Sequence, residues 1–226
     1  MNHELTNNDR RELNQMGLDT FVFNVSNMFE SPVEIAINKI LKDKSRSLKE
    51  KNEWIKQSKN LDVEDESGDL LLEYQIKLHE YSTDEYFRDE ELKALMEMKI
   101  VYLYKMFEIN LKKLISAAFS IKSNKKFYRW DAITDFLKSK NINPNLINCY
   151  QEILQLKELN NSFKHSDNID EKLIARIPEL INGRYTKYEE LEMFYLRIKS
   201  SPIDFLRDLS SKIYNELYIF DNEKLE

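Results

Sequence analysis

Cysteine, glycine and proline are scarce in this 226-residue sequence. Cys149 is the single cysteine, so an internal disulfide and a zinc site built from several cysteines are both excluded, which is typical of a reducing compartment. Three glycines and four prolines fall far below the usual combined share of about 12%. Because turns depend on these two residues, few turns and long regular elements are predicted.

Long apolar runs and a surplus of basic residues are also missing. No segment approaches the roughly 20 apolar residues that a membrane-spanning helix requires, and residues 1–12 contain no apolar run typical of a signal peptide. We therefore expect a soluble, cytoplasmic protein with no membrane partner. The formal net charge of -6 argues against a general nucleic-acid coat, which normally carries a basic surplus, but it is compatible with a local basic cleft.

Several motifs that define enzyme classes are absent. The sequence has no glycine-rich phosphate loop, no G-x-S-x-G, no H-E-x-x-H and no pair of cysteines or histidines at ligand spacing. Nucleoside triphosphatases, serine hydrolases and zinc proteases are thereby excluded, and we expect neither a metal site nor a cofactor. Of the three histidines, we interpret His3 and His79 as structural and His165 as the candidate for chemistry.

The spacing of apolar residues predicts an all-α helical bundle. Its clearest element is a long central helix over about 84–119, opened by Ser82, in which apolar residues recur every three or four positions. These residues are Leu92, Met96, Ile100, Leu103, Phe107, Leu111, Leu114 and Ala118. Further helices are predicted over 129–140, 143–165, 171–177, 187–198 and 202–220. Ser31, Asn143 and Ser201 each precede a proline, and each of these pairs predicts a helix start.

The chain is predicted to have two parts. Residues 1–69 form a charged helical extension, with a helix over 32–59, and residues 70–226 form the main bundle. The acidic, glycine-bearing joint over 62–69 is the candidate boundary. Residues 21–25 alternate apolar and polar side chains over a length that does not distinguish a strand from a helix end. The extension is a candidate surface for a protein partner.

The helix predicted over 143–165 contains the most chemically suggestive residues. Lys157, Asn161 and His165 follow one another at a spacing of four and therefore line one face of the helix. The preceding residues of this face are apolar, namely Ile147, Tyr150 and Leu154. Either the helix emerges from the core or pairs with a neighbour at this point, or an imidazole, an amide and an ammonium converge in a cleft.

A second candidate is the segment over 122–130, where cations are interleaved with aromatic rings. The cations are Lys122, Lys125, Lys126 and Arg129, and the rings are Phe127, Tyr128 and Trp130. Cations bind phosphates and rings stack on bases, so such a segment can hold single-stranded RNA. The same composition is also typical of a solvated loop whose rings are turned inward.

Residues 104–167 resemble the HEPN superfamily, small helical-bundle domains of prokaryotic toxins, abortive-infection proteins and other defence or RNA-processing systems. The resemblance lies in the long helix over 105–111, the helix of Trp130 and above all the run over 156–166. Many members are metal-independent endoribonucleases with an arginine, an adjacent polar residue and a histidine near the end of a helix. Two such helices usually meet across a dimer and form a composite site, so the resemblance implies a homodimer through the helix that ends at His165.

The resemblance implies a role for each residue of this run. His165 takes the histidine position and Asn161 the polar position, whereas Asn160 stands where the arginine is expected. An amide lacks the fixed positive charge that stabilises a phosphodiester transition state. The motif therefore departs from the family pattern at the residue that binds the phosphate.

The missing cation has candidates nearby in the sequence. Lys157, one turn earlier, or Lys164 is expected to supply the charge. In this scheme His165 is the general acid or base for the ribose 2′-hydroxyl or the leaving oxygen, while Lys157 and Asn161 hold the phosphate. Glu108 on the preceding helix is a candidate to orient the imidazole, or it forms an ion pair within its own helix.

Three hypotheses remain open at the level of the sequence. The first is a dimeric, RNA-cleaving effector in antiviral defence or a toxin–antitoxin system. The second is a non-catalytic HEPN-like module that binds a nucleotide, RNA or a protein, in which Asn160 marks lost catalysis. The third is a helical scaffold whose charged first third recruits another protein.

Overall fold

The computed structural model describes residues 5–58, 69–119, 121, 127, 129–165, 169–181 and 186–223, and these residues form an all-α helical bundle without strands. The helices are α1 (Asn7–Phe23), α2 (Ser31–Ser58), α3 (Asp69–Ala118), α4 (Trp130–Lys138), α5 (Tyr150–His165), α6 (Glu171–Ile174), α7 (Tyr188–Ile198) and α8 (Ser201–Glu223). A π-helical turn, Asn24–Glu30, joins α1 to α2, and a 3₁₀ turn, Pro144–Leu146, precedes α5. The predicted fold class is confirmed. No helix in these ranges is both long and apolar enough to cross a membrane.

The 50-residue helix α3 is the centre of the bundle. All eight residues of its predicted apolar stripe are buried, and Leu114 is the most exposed of them at 5%. Helices α1, α2, α5, α7 and α8 all contact α3. The ring of Phe107 on α3 meets the Phe205 ring of α8 edge to face, with centroids 5.4 Å apart. The helical period of the sequence therefore predicted the buried face of the central helix correctly.

The helix start predicted at Ser82 is wrong because α3 continues through it, whereas α2 begins at Ser31 as predicted but follows the π-helical turn without a break. Ser82 lies inside α3, where its hydroxyl donates to the Leu78 carbonyl at 2.9 Å. Ser31 has helical backbone angles, and its hydroxyl donates to the Ser26 carbonyl at 3.1 Å. The π turn widens the helix directly before Pro32, where the proline ring would otherwise meet a carbonyl four residues earlier. Burial of the continuing apolar face of α3 outweighs the local start signal of Ser82.

The third predicted start, at Asn143, opens only the 3₁₀ turn. The Asn143 side-chain oxygen accepts from the Asn145 backbone N–H at 3.1 Å, as a cap does. Cys149 has a positive φ of 58°, so the chain turns there and α5 begins at Tyr150. The pair of Ser201 with Pro202 does mark a helix start, because α8 begins at Ser201.

The N-terminal helices share the core of the main bundle. The buried residues of α1, the π turn and α2 belong to the same apolar cluster as those of α3: Leu18, Phe21, Val25, Val33 and Ile37. Residues 21–25 are helical, which resolves the alternative left open by their composition. Residues 62–68 of the predicted boundary lie outside the described residues, and the division into an extension and a bundle stays a prediction.

Lys99 is a buried charged residue that connects three helices. Its side chain on α3 is 3% exposed and binds the carboxylate of Glu34 on α2. Its Nζ atom also lies 4.2 Å from the ring centroid of Tyr195 on α7. Burial raises the pKa of Tyr195, and the neighbouring carboxylates of Glu30 and Glu34 raise it further, so its phenol stays neutral beside them.

Removal of the two partners is expected to have unequal effects on stability. Glu34→Ala leaves the buried Lys99 charge without its carboxylate and should lower the free energy of unfolding by about 3 kcal/mol. Lys99→Met leaves only the half-exposed Glu34, which water can solvate, so its cost should be about 1 kcal/mol. Urea unfolding followed by circular dichroism measures both changes, and the double variant should be more stable than Glu34→Ala alone. A larger loss for Lys99→Met than for Glu34→Ala would contradict this account.

Candidate functional site

An open groove of about 900 Å³ lies between the end of α5 and the short helix α6. It is lined by Glu158, Asn161, Ser162, His165, Ile169, Asp170, Glu171, Lys172, Leu173 and Arg176. One wall is therefore the polar end of α5, and the other is the segment that follows it. The structure brings His165 and Asn161, both predicted site residues, into this groove.

The second wall is positioned by a short apolar repeat. Ile169, Leu173 and Ile177 recur every four residues and are all buried, which holds this segment against the core. Asp170 caps α6, because its side-chain oxygen accepts from the Lys172 backbone N–H at 2.7 Å. The polar residues between these anchors consequently border the groove.

The polar row predicted on α5 does not face the core. The buried residues of α5 are Ile153, Leu156, Leu159 and Asn160. Asn161 and His165 are exposed, and Lys157 is half-buried. Ile147 precedes the helix, while Tyr150 and Leu154 are only half-buried, so the predicted apolar beginning of the row is not the buried face. The buried face of α5, which contacts α3, is turned by about one residue from the predicted row.

Asn160, the departure from the family pattern, is a core residue. Its side chain is 1% exposed, and its Nδ2 atom donates to the Asn161 side-chain oxygen at 3.2 Å. Its own side-chain oxygen has no hydrogen-bond partner among the described residues. The side chain of an arginine at position 160 would begin in the core, and an unpaired guanidinium buried there would lower the stability of the fold. Asn160 therefore acts on the groove indirectly, by orienting the amide of Asn161.

Arg176 supplies a guanidinium on the wall opposite α5. Its Nη1 atom donates to the Glu158 carboxylate at 3.1 Å, and its Nε atom donates to the Lys172 carbonyl at 3.2 Å. Its own backbone carbonyl accepts from the Gln155 side chain at 2.7 Å. Arg176 and Lys172 are groove residues that the sequence did not single out. A sequence signal was available, because only a few residues separate the helix predicted to end at residue 165 from the one predicted to begin at residue 171.

A second arginine holds this wall in place. Arg197 on α7 donates to the Glu179 carboxylate at 3.0 Å and to the Gln155 side-chain oxygen at 3.1 Å. Burial alone would raise the pKa of Glu179, but the hydrogen bonds and charge of Arg197 outweigh it, and the pKa is lowered. One polar network thus connects three elements: helix α5, the segment that follows α6, and helix α7.

The other predicted cations and the carboxylate lie apart from the groove lining. The Nζ atom of Lys157 is 6.0 Å from the ring centroid of Trp130, and Lys164 is exposed on α5. The Glu108 carboxylate accepts from the Lys112 ammonium at 2.7 Å, which is the ion pair within its own helix. No described contact joins Glu108 to His165.

The basic aromatic segment is described only in part. Lys122, Lys125 and Lys126 lie outside the described residues, as does Tyr128. Arg129 is exposed and donates to the Asp131 carboxylate at 3.2 Å. Phe127 is 1% exposed, and the centroid of the Trp130 ring lies 6.3 Å from that of the Tyr150 ring. The rings of Phe127 and Trp130 are therefore turned inward. RNA binding by this segment stays a prediction.

The groove offers groups for proton transfer and for binding an anion, and it is also lined by the carboxylates of Glu158, Asp170 and Glu171. An imidazole can accept or donate a proton, a carboxamide donates hydrogen bonds, and a guanidinium binds a phosphate in a fixed fork. In the described parts of the chain, no three histidine, cysteine or acidic side chains are grouped so that they could hold a metal ion.

The Arg197 network predicts a pH-dependent contribution to stability. Because the pKa of Glu179 is lowered in the folded state, its contribution is present above the ordinary value of 4.5 and is lost as the pH falls through the folded pKa. Arg197→Met should therefore lower the free energy of unfolding by about 1 kcal/mol at pH 7. Urea unfolding at pH 7 and below pH 4.5 should show the difference shrink with acid, whereas an equal or larger difference in acid would rule out this ion pair as its source.

Comparisons with known proteins add no assignment to this geometry. The sequence matches no protein-family model, and no curated protein or solved structure matches the chain.

Proposed function

We propose that this protein is a HEPN-type, metal-independent endoribonuclease and that the groove at the end of α5 is its active site. The observation that carries the proposal is the presence of Arg176 in the same groove as His165 and Asn161. The motif on α5 lacks an arginine at position 160, and Arg176 offers the same guanidinium from the opposite wall. The three groups are those that metal-independent cleavage of a phosphodiester requires.

The proposed reaction uses the ribose 2′-hydroxyl as the nucleophile. Arg176 and Asn161 bind the phosphate, and His165 takes the proton from the 2′-hydroxyl. The 2′-oxygen then forms a bond to phosphorus while the bond from phosphorus to the 5′-oxygen breaks. The leaving oxygen takes a proton, which His165 of the partner subunit supplies in the composite dimeric site. The products are a 2′,3′-cyclic phosphate and a 5′-hydroxyl end.

The ion pair of Arg176 with Glu158 is part of this proposal. A substrate phosphate must compete with the Glu158 carboxylate, which already occupies the guanidinium. Lys164 is exposed beside His165, and Lys157 lies two turns further back, so both serve as outer contacts for the RNA backbone. Lys122, Lys125, Lys126 and Arg129 extend that contact in the proposal.

Cellular role and location follow from the same resemblance. Such an effector would act in the cytoplasm, in prokaryotic defence or as the toxin of a toxin–antitoxin pair. The charged residues 1–69 are the proposed contact for a protein partner that restrains or activates it.

A non-catalytic HEPN-like module is the second candidate function. The buried Asn160 and the engagement of Arg176 by Glu158 favour it, because both reduce the free positive charge that a transition state would meet. In this case the groove binds RNA or a nucleotide and leaves it intact.

His165→Ala tests the proposed chemistry most simply. The proton transfer that this residue performs should be lost, and RNA cleavage in the presence of EDTA should fall by about 10²–10⁴-fold. His79→Ala is the matched control, because His79 is an exposed histidine on α3 outside the groove. Cleavage of a labelled, mixed-sequence RNA measures both.

Three outcomes separate the hypotheses. Cleavage by wild type and His79→Ala but not by His165→Ala supports the nuclease. Cleavage that survives His165→Ala rules out this groove. Intact RNA with wild type, together with RNA binding that Arg176→Gln weakens in fluorescence anisotropy, establishes the non-catalytic module instead.

Arg176 and Glu158 should respond in opposite directions. Arg176→Gln removes the cation that binds the phosphate and should lower cleavage by about 10²-fold. Glu158→Gln removes the competing charge and should raise cleavage about threefold. Arg207→Gln is the matched control, because Arg207 is an exposed arginine paired with Asp204 on α8. A fall in activity for both Arg176→Gln and Glu158→Gln would show that the pair supports the structure of the wall and does not bind substrate.

A further inference from the structure

The second half of α2 and the first half of α3 form an arm outside the core. None of the described side chains over residues 38–57 and 72–91 is buried. Ile37, directly before the first range, and Leu92, directly after the second, are both buried. The two helices therefore pair with each other over this length and leave their outer faces to solvent.

Cations occupy the outer face of α2. They fall within an arc of about 100° around the helix, over a length of about 25 Å, and all are exposed: Lys39, Lys42, Arg46, Lys49 and Lys56. We call this set the basic stripe. Arg46 is paired with Asp43 and Glu50, which border the stripe, whereas none of the four lysines forms an ion pair with another described residue. Glu53 is the one acidic residue within the arc.

The acidic residues of α3 neutralise only the inner side of α2. Lys44 binds the Asp89 carboxylate, and Lys51 binds the Glu85 carboxylate across the arm. Both lysines lie about half a turn around α2 from the middle of the basic stripe. The unpaired positive charge of α2 therefore faces away from α3, although the net charge of the chain is -6.

The composition of the basic stripe distinguishes between classes of anionic partner. A helix that lies on a membrane needs apolar residues for insertion, and the arc of the stripe contains none between residues 39 and 56. The centre of a protein interface is normally depleted of lysine and enriched in aromatic residues. Unpaired lysines bind a nucleic-acid backbone by displacing its counterions. A chain of phosphates is therefore the partner that fits this face best.

We propose that the basic stripe binds the phosphate backbone of RNA. That the nucleic acid is RNA rests on the proposed function. Lys42, Lys49 and Lys56 follow one another at seven residues, about 10 Å apart, so each meets a different phosphate of one strand. A protein partner of residues 1–69 would use surface outside the stripe.

Helix α5 carries the groove toward the end of the core from which the arm projects. The start of α5, at Tyr150, shares the Trp130 ring with Phe107 of α3, and both centroid distances are 6.3 Å. Farther along α5, Gln155 binds α7 two residues after α7 meets Lys99 of α3. Helix α5 therefore runs antiparallel to α3. The groove and the arm lie at the same end of the core, so RNA held on the stripe is retained near the groove.

The salt dependence of RNA binding tests the stripe. Fluorescence anisotropy with the labelled, mixed-sequence RNA is measured in EDTA on the full chain with His165→Ala, so that the RNA stays intact. Lys42→Gln, Lys49→Gln and Lys56→Gln together should weaken binding at low salt by at least about tenfold. They should also reduce the slope of log K against log salt concentration by about 2, because three phosphate contacts are lost.

A second triple variant controls for net charge. Lys105→Gln, Lys113→Gln and Lys199→Gln together remove the same charge from exposed positions outside the stripe and should leave the slope unchanged. Circular dichroism and thermal unfolding should be unchanged in both triple variants. Equal losses of RNA binding in the two variants, or unchanged binding in the stripe variant, would overturn the proposal.

Two further probes separate the other classes of partner. Vesicles of anionic phospholipid and poly-glutamate are bound to the same variants. If the stripe variant loses binding to either probe and keeps its binding to RNA, the proposal is overturned, and the stripe belongs to a membrane or to an acidic protein.

The stripe and the nuclease fail separately. Cleavage that depends on His165, together with RNA binding that does not depend on the stripe, disproves the stripe alone. RNA binding that depends on the stripe, in a protein whose wild type leaves RNA intact, disproves the nuclease alone.

Discussion

Burial of one apolar stripe on α3 is the constraint on which the rest of the molecule depends. Its eight residues are all buried, and five other helices pack around them. Because α5 buries Ile153 and Leu156 in this core, its polar end at His165 is directed toward α6. The position of the groove thus follows from the way the other helices pack on the apolar face of α3.

The same packing decides which residues can act in the groove. Position 160 faces the core, so a small amide that binds Asn161 is tolerated there, whereas a charge would need a partner. In the proposed reaction the cation for phosphate binding comes from the facing wall, where Arg176 is held by Glu158 and by the Lys172 carbonyl. A phosphate would have to compete with the Glu158 carboxylate, because the Arg176 guanidinium already has this anionic partner.

Features that depend on the spacing of apolar residues could be predicted from the sequence. Features that tertiary packing decides, such as where a helix begins or which way it is rotated, could not. The buried stripe of α3 was predictable because its spacing and its burial share one cause. The start expected at Ser82 was not observed, since a cap contributes only about 1 kcal/mol and burial of the continuing helix contributes more. Asn161 and His165 line the same groove, as their spacing of four residues allows, but the rotation of α5 toward α3 was not available from the sequence. Arg176 was missed because its place opposite His165 arises from the return of the chain.

The central claim is that a groove with one imidazole, one amide and one guanidinium cleaves RNA through the ribose 2′-hydroxyl. Mass spectrometry of the RNA ends tests it most directly, since the ends record which oxygen attacked the phosphorus. Incubation of the wild-type protein with RNA in EDTA is predicted to give 2′,3′-cyclic phosphate and 5′-hydroxyl ends. Ends that carry a 3′-hydroxyl and a 5′-phosphate would contradict the account, because they arise from attack by water on the opposite side of the phosphate.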